Sequence, residues 1–394
     1  MDEKTQAIIN TLLTTNEPAG LDSFDLVTRF EALGKYMVQL GCAFPDSPTK
    51  HNMHGHTFFS FNCLGWSPTH YALASKLLGF RYTGMVDFDV LDGVDEFRYA
   101  CKLLGVQGVC GMETRVYIPE MADVEINSPG EPGIAYHLGV GFQSGKVPAC
   151  AEQFAKDLRE RSRVRTRTVM ERVNAAVPDV AVDYEKDLVA LTPAGNPTER
   201  HLCHAYLLKG NEVFGSKEKA MAYWTKALKM DDAKAAKAAA SDVALEANIR
   251  SSLMKSGGPG YIKPDASSFP SLEDMNAFTK ACGGIPCLAW LNGMSGGEAD
   301  AVKLLEFHAS KGAEAITIIP DRNWNVGDAE KSAKLVAKLD EVVKAAAKIG
   351  MPILAGTELN TPGQKLVDDF NKDPLALYLD DFLLGAEKVC RRFA

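Results

Sequence analysis

Apolar and polar positions along the chain fall into three textures. Residues 1–50 carry helical periodicity, enough for one or two helices, and end in a proline-containing loop, Phe44-Pro-Asp-Ser-Pro48. From His51 short apolar segments alternate with amphipathic ones. Residues 81–87, 106–118 and 134–142 read as strands, and 92–105 as a helix with Asp92 as N-cap and Gly105 as its stop. Residues 146–257 are mostly helical. Their Ala/Lys-rich stretch, 226–247, is weakly amphipathic and reads as a solvated helix, and the segment closes on the turn Ser256-Gly-Gly-Pro-Gly260. The alternation then resumes, with strands at 285–291, 315–320 and 351–355 and helices at 298–312 and 328–350.

Strands alternating with helices of this length predict βα units and a parallel sheet. Residues 51–145 and 258–394 together supply 232 residues, close to the ~250 typical of a βα barrel. The expected fold is therefore α/β: a distorted TIM-like barrel in two parts, 51–145 and 258–394. A helical insertion, 146–257, splits it, and a helical extension, 1–50, precedes it.

Composition narrows the function classes. At 46% hydrophobic and 24% charged residues the chain is globular, and its 394 residues suffice for a large core. A net charge of −8 argues against a general nucleic-acid binder. The nine cysteines, odd in number and without a CxxC pair, predict reduced thiols in a cytoplasmic protein, with Cys101, Cys110 and Cys287 as small core residues. Residues 1–13 lack the basic segment and apolar core of a signal peptide. No apolar run approaches the ~18 residues of a membrane span, so a soluble protein is expected.

In a barrel, functional residues gather at the C-terminal ends of strands. Four places stand out. His54-Gly-His56 sets two imidazoles two residues apart on an extended segment, hence on one face and within reach of one ion. Glu113, in Gly111-Met-Glu113, is a carboxylate within an apolar strand, where a charge must be paired or metal-bound. His137 reads as a metal ligand or as a hydrogen-bonded core residue. Glu358 follows the apolar run 351–355 directly. Two histidines and two glutamates on separate strands make a nitrogen/oxygen site for zinc, manganese or iron.

At these residues the chain resembles the polymerase and histidinol phosphatase (PHP) superfamily. Asn52-Met-His54-Gly-His56-Thr57-Phe-Phe-Ser60 is similar to its His-x-His-Thr-x-x-Ser motif. Thr83 to Asp89 is similar to its Thr-Asp-His motif, Gly111-Met-Glu113 to its Gly-x-Glu strand, and His137-Leu-Gly139 to its His-Leu-Leu-Gly strand. The resemblance spans both barrel parts in order and excludes 1–50 and the insert. It implies a distorted seven-stranded βα barrel with up to three metals at the strand ends, and phosphoester hydrolysis. Carried over by position, His54, His56, Glu113 and Glu358 form the first metal site, with Glu358 where the family has Asp. A second ion would use Glu113 and His137, although Trp290 stands where that site has histidine. The remaining site is dismantled, with Phe88, Asn62 and Asn360 in place of histidines. One ion is expected and a second is open.

Around the pocket, Asp87 is expected to be the proton acceptor for water, or else a carboxylate satisfied by amides at its turn. Arg322 and Asn323 follow the strand 315–320; Arg322 either holds a phosphate or carboxylate or pairs with Asp321 or Asp328. Asn360 is a further substrate-binding candidate. In the insert, Arg200 and His201 begin a helix capped by Asn196 or Thr198, a position that favours anions. His201 and His204 are three apart and can share an ion, and the arginines at 159, 161, 163, 165 and 167 read as a solvated surface or an anion groove. The expected function is a metal-dependent hydrolase of a small anionic substrate, foremost a phosphate ester. Metal-assisted reaction at a non-phosphate bond, or binding without catalysis at a residual metal site, are the alternatives.

Overall fold

The computed structural model describes residues 3–15, 18–41 and 44–393; Met1 and Cys42 lie outside them. In chain order the main elements are α1 (Glu3–Thr14), α2 (Leu26–Leu40), β1 (His51–Gly55), α3 (Pro68–Leu78), β2 (Tyr82–Phe88), α4 (Val94–Leu104), β3 (Gln107–Tyr117) and β4 (Ile134–Val140). There follow α5 (Glu152–Ala176), α6 (Glu199–Phe214), α7 (Lys217–Ala227), α8 (Asp232–Ala239), α9 (Asp242–Leu253) and α10 (Leu272–Ala281). Last come β5 (Ile285–Trp290), α11 (Ala301–Ser310), β6 (Ala315–Ile318), α12 (Ala329–Ile349), β7 (Ile353–Ala355) and α13 (Leu379–Phe393). The chain divides into two compact units, 1–155 with 265–394, and 156–264.

The first unit is a nearly closed barrel of seven strands paired in sequence order. The strands are buried on both faces, as a helix-covered barrel requires. β4 departs from the expected parallel sheet, because it runs antiparallel to both β3 and β5. Residues 118–133, which join β3 to β4, form only one 3₁₀ turn. Without a crossover helix the chain turns straight back. α4 starts one residue later than expected, with Gly93 rather than Asp92 as its cap, and stops at Gly105 in the left-handed conformation, φ 64°.

Two devices close the barrel. α13 inserts Ala386, Val389 and Cys390 among the interior residues Tyr82, Val109, Leu138 and Ile285. Gly385 permits this approach, since a Cβ there would lie 2.0 Å from the Ile353 carbonyl oxygen. The sequence reading assigned no element here, although Leu379–Phe393 is amphipathic with Phe382, Gly385, Ala386 and Val389 on its buried side.

The seam between β1 and β7 has no strand ladder and is stitched by the Asn52 side chain. Asn52 Nδ2 donates to Thr357 Oγ1 at 2.8 Å and to the Thr357 carbonyl at 3.2 Å. Its Oδ1 accepts from the amides of His54 at 2.9 Å and Thr357 at 3.0 Å. A Cβ at Gly356 would lie 2.3 Å from that oxygen, so glycine is required there. Asn52→Ala strands two buried amides, and each such loss costs about 1–3 kcal/mol. We expect a matching drop in chemical-denaturation stability; a drop below the cost of one bond would mean the seam closes without Asn52.

The second unit is helical around Val173, Leu188, Leu202, Tyr206, Trp224 and Ile249. The stretch expected as one solvated helix is three pieces, the end of α7, then α8 and α9. Asp231 and Ser241 each accept an amide as N-cap, and Lys229 turns left-handed at φ 53°. At the start of α6, Glu199 faces Arg250 Nε at 2.6 Å and Lys255 Nζ at 2.7 Å. Burial pushes this carboxyl up, but the Lys255 and Arg250 cations outweigh it and hold it at about 2, below its ordinary 4.5. A lowered folded value stabilises above the unfolded value and is lost on acidification. The melting-temperature gap between wild type and Glu199→Gln should therefore be constant above pH ~5 and close between 4.5 and 2.

Candidate metal centre

β1 presents His54 and, just beyond its end, His56 on one face, as the two-residue spacing predicts. The neighbouring interior is reached from β3 by Glu113. His54 Nε2 lies 3.2 Å and His56 Nε2 3.1 Å from the same oxygen, Glu113 Oε2. All three side chains are buried. Among the described residues they form the one group of three metal-ligating side chains whose donor atoms lie mutually within 4.8 Å.

The outer partners of the two rings decide what the inner atoms can do. His56 Nδ1 is 3.0 Å from Ser60 Oγ, and that hydroxyl gives its own proton to Asp87 Oδ1 at 2.6 Å. Ser60 must therefore accept from His56 Nδ1–H. His54 Nδ1 is 3.1 Å from Thr317 Oγ1, which also lies 3.3 Å from the Leu354 carbonyl; with its proton given to that carbonyl, Thr317 accepts from His54 Nδ1–H. With the protons on Nδ1, which Ser60 imposes on His56 and Thr317 accommodates on His54, each ring directs an Nε2 lone pair at a carboxylate oxygen. Three electron-rich atoms converge in a buried space, and His56 Nε2 has no hydrogen-bond partner of good geometry there. Only a cation among them, or an added proton, offsets the repulsion.

Electrostatics carry the same demand. Burial disfavours the charged form of His56, but the Glu113 carboxylate, then Asp87 and Glu358, outweigh it and raise its proton affinity. Burial also pushes Glu113 up, and positive charge on the facing groups, supplied by protonated His54 and His56, brings it down to about 2. The separations suit a metal: ligand atoms held tetrahedrally at about 2.1 Å from an ion stand roughly 3.4 Å apart. The donor set fits zinc, manganese or iron.

Glu358, the expected fourth ligand, adjoins this group through its backbone, whose carbonyl accepts the His56 amide at 2.9 Å. Its carboxylate pairs instead with Arg322 Nη2. Arg322 therefore does not take Asp321 or Asp328 as its partner; Asp321 bonds Lys365 at 3.2 Å and Asp328 caps α12.

Asp87 is not available as a proton acceptor. It is 1% exposed, and its two oxygens accept from the Thr57 amide at 2.8 Å, Thr57 Oγ1 at 2.6 Å and Ser60 Oγ. His137 is not brought to the centre either. In the β3–β4 register Glu113 stands opposite Leu138, and Thr114 opposite His137, so His137 lies on the other face of the sheet. There it meets α11, and both burial and the nearby His308 lower its proton affinity, to about 3. Trp290 shares that outer side, packed with Leu304 and Leu305.

Phe88 stacks on the His56 ring at 4.6 Å, which fills that flank with carbon. Asn62 is structural, donating to the His56 carbonyl at 2.8 Å and accepting from the amides of Leu64 and Trp66. Asn323 is buried, donating to the Ile319 carbonyl, while Asn360 accepts from Thr361 Oγ1. In the second unit, His201 Nδ1 takes part in the capping box of Thr198, with Arg200 beside it in the first turn, and His204 bonds Glu246 at 2.7 Å.

The reading of single residues missed Ser60, Thr317 and Asn52 as supports of the centre. Thr317 did leave a signal: it is the one polar residue in the strand Ala-Ile-Thr-Ile. Among the described residues no helix is long and apolar enough to cross a membrane.

No family model matches the chain, and no curated protein matches it. Solved structures do. An amidohydrolase from Chromobacterium violaceum, with bound sulfate and no metal, is 16% identical over 84% of this chain and 96% of its own, with a TM-score of 0.54. A protein from Bifidobacterium adolescentis, named as a candidate metal-dependent phosphoesterase, is 19% identical over 82% of this chain and 94% of its own, with a TM-score of 0.51. At these identities the likeness is one of fold.

Proposed function

We propose that this chain is a cytoplasmic metal-dependent hydrolase of the PHP type that acts on a small phosphate ester. The observation that carries the reading is the convergence of His54 Nε2, His56 Nε2 and Glu113 Oε2, with a hydroxyl behind each ring at its Nδ1. The names of the two fold neighbours, one an amidohydrolase and one a candidate metal-dependent phosphoesterase, support a hydrolase.

His54, His56 and Glu113 would hold one divalent ion, with Glu358 as fourth ligand. When bound, that ion would lower the pKa of water toward ~7 and polarise the substrate oxygen. The residues do the rest. Ser60 and Thr317 fix the ring tautomers, and Asp87 orients Ser60 and so acts as a positioning residue. Arg322, its side chain 42% exposed, is the cation for an anionic group. Phe88 against His56 leaves one ion here, which also suits hydrolysis of a non-phosphate bond.

The test has two parts. Metal analysis of the purified protein should show one stoichiometric transition ion, and its absence would overturn the hydrolase reading. Phosphate monoesters and amides are then offered to the manganese- or zinc-loaded protein. Turnover of the monoesters supports the main reading, and turnover of amides alone supports the second. Asp87→Asn should reduce metal affinity 10–100-fold, the usual cost of losing an outer partner. Unchanged affinity by titration calorimetry would remove the positioning role.

A further inference from the structure

One carboxylate at the barrel mouth, that of Glu358, lies between the Arg322 guanidinium and the candidate metal centre. Glu358 starts beside the metal-binding group, because its carbonyl accepts the His56 amide. The next residue, Leu359, is buried at φ 56°, a conformation costly for an L residue, and its carbonyl accepts the Cys63 amide at 2.8 Å. The main chain at Glu358 is thus held from both sides, and only side-chain rotation can redirect its carboxylate. In the structure that carboxylate is turned to Arg322 and stays outside the converging group of His54, His56 and Glu113. The Arg322 side chain is 42% exposed against 10% for Glu358, so the guanidinium stands on the solvent side. The three-atom group leaves room on an ion for a further carboxylate as well as water, since zinc expands to five ligands and manganese to six.

We propose that Glu358 exchanges partners. Arg322 holds it in the metal-free protein, the ion takes it on loading, and the released guanidinium becomes the site for a substrate oxoanion. This rests on the metal-centre reading above. It makes the centre order its own binding: an oxoanion finds a free, fork-shaped donor only after the metal is in place. Linkage then requires the anion to tighten the metal by the same factor.

The probe is sulfate, which stays soluble with manganese and zinc, and the readout is titration calorimetry on the full chain rather than activity. In wild type, metal loading should tighten sulfate about tenfold or more, within the range of such couplings. Arg322→Gln should bind metal several-fold tighter and lose the sulfate coupling. Glu358→Gln, without metal, should bind sulfate as tightly as loaded wild type. That gain should vanish in the double variant Arg322→Gln/Glu358→Gln, which removes the general effect of deleting a negative charge.

A gain that survives in the double variant is a field effect and overturns the exchange. So does a fall in metal affinity in Arg322→Gln, which would mean that Glu358 serves both cations at once. So does coupling that persists in Arg322→Gln, where sulfate would be binding the ion itself. Wild type that takes metal with sulfate-independent affinity overturns the exchange alone, whereas wild type that takes no metal overturns the metal-centre reading with it.

Discussion

Glu113→Gln is expected to lose divalent-metal binding by more than the 10–100-fold that removal of an outer partner costs. Glu113 Oε2 is the atom that both imidazoles face. It is also the one negative charge in the three-atom group. Gln keeps the volume but replaces that charge with a neutral amide, and if its NH₂ turns inward it competes for the two Nε2 lone pairs. Loss of the charge also removes the main influence raising the proton affinity of His56. Calorimetric titration with zinc or manganese checks the result, with far-ultraviolet circular dichroism to show that the fold persists. Metal affinity within a factor of a few of wild type would mean that the ion sits elsewhere.

Arg29→Ala should cost the barrel unit about 3–5 kcal/mol, the usual penalty for stranding one member of a buried ion pair. Arg29 and Glu96 side chains are each 4% exposed. Arg29 Nε donates to Glu96 Oε1 at 2.8 Å, Nη2 to Oε2 at 2.5 Å, and Nη1 to the Ser23 carbonyl at 2.6 Å. Glu96 also accepts from the amide and hydroxyl of Thr69. The pair therefore ties α2 to α3 and α4, and with it the amino-terminal helices to the barrel. His70 makes a second tie, bonding Asp22 and the Leu12 carbonyl at 2.8 Å each.

The double variant Arg29→Met/Glu96→Leu should recover only part of the loss, since an apolar pair removes the desolvation cost of both charges but strands the Thr69 amide and hydroxyl. Urea denaturation of wild type and both variants measures this. A loss under 1 kcal/mol in Arg29→Ala would mean that the remaining contacts, the His70 tie among them, dock the extension without this pair.

His54, His56 and Glu113 were legible in the sequence because each signal is local. Two histidines two apart share a face on any extended strand, and a lone carboxylate in an apolar strand needs a cation wherever that strand lies. The βα alternation was legible for the same reason, and the seven-stranded barrel follows it. The Ala/Lys-rich stretch failed as one helix because Asp231 and Ser241 cap two new ones, a cue present in the sequence but outweighed by composition.

His137, Trp290 and Asp87 show where local reading ends. Which face a strand residue takes is set by its register with the neighbouring strand, and a shift of one residue reverses it. Pairing of Glu113 with Leu138 sends His137 and Trp290 to the helix layer. Pairing of Phe88 with Glu113 likewise turns Asp87 off the Glu113 face, toward Thr57 and Ser60. The choice of Arg322 as the partner of Glu358, 36 residues away, depends on β6 and β7 lying side by side.

The sequence by itself determined the alternation of strands and helices along the barrel and three donor residues suited to one ion, because these depend on neighbours a few residues apart. Only the tertiary structure decided the direction of β4, the Asn52 seam, the hydroxyls behind the two imidazoles and the partner of Glu358. Those are settled by contacts between segments far apart in the chain, where pairing register and competition for a single carboxylate, rather than residue type, select the outcome.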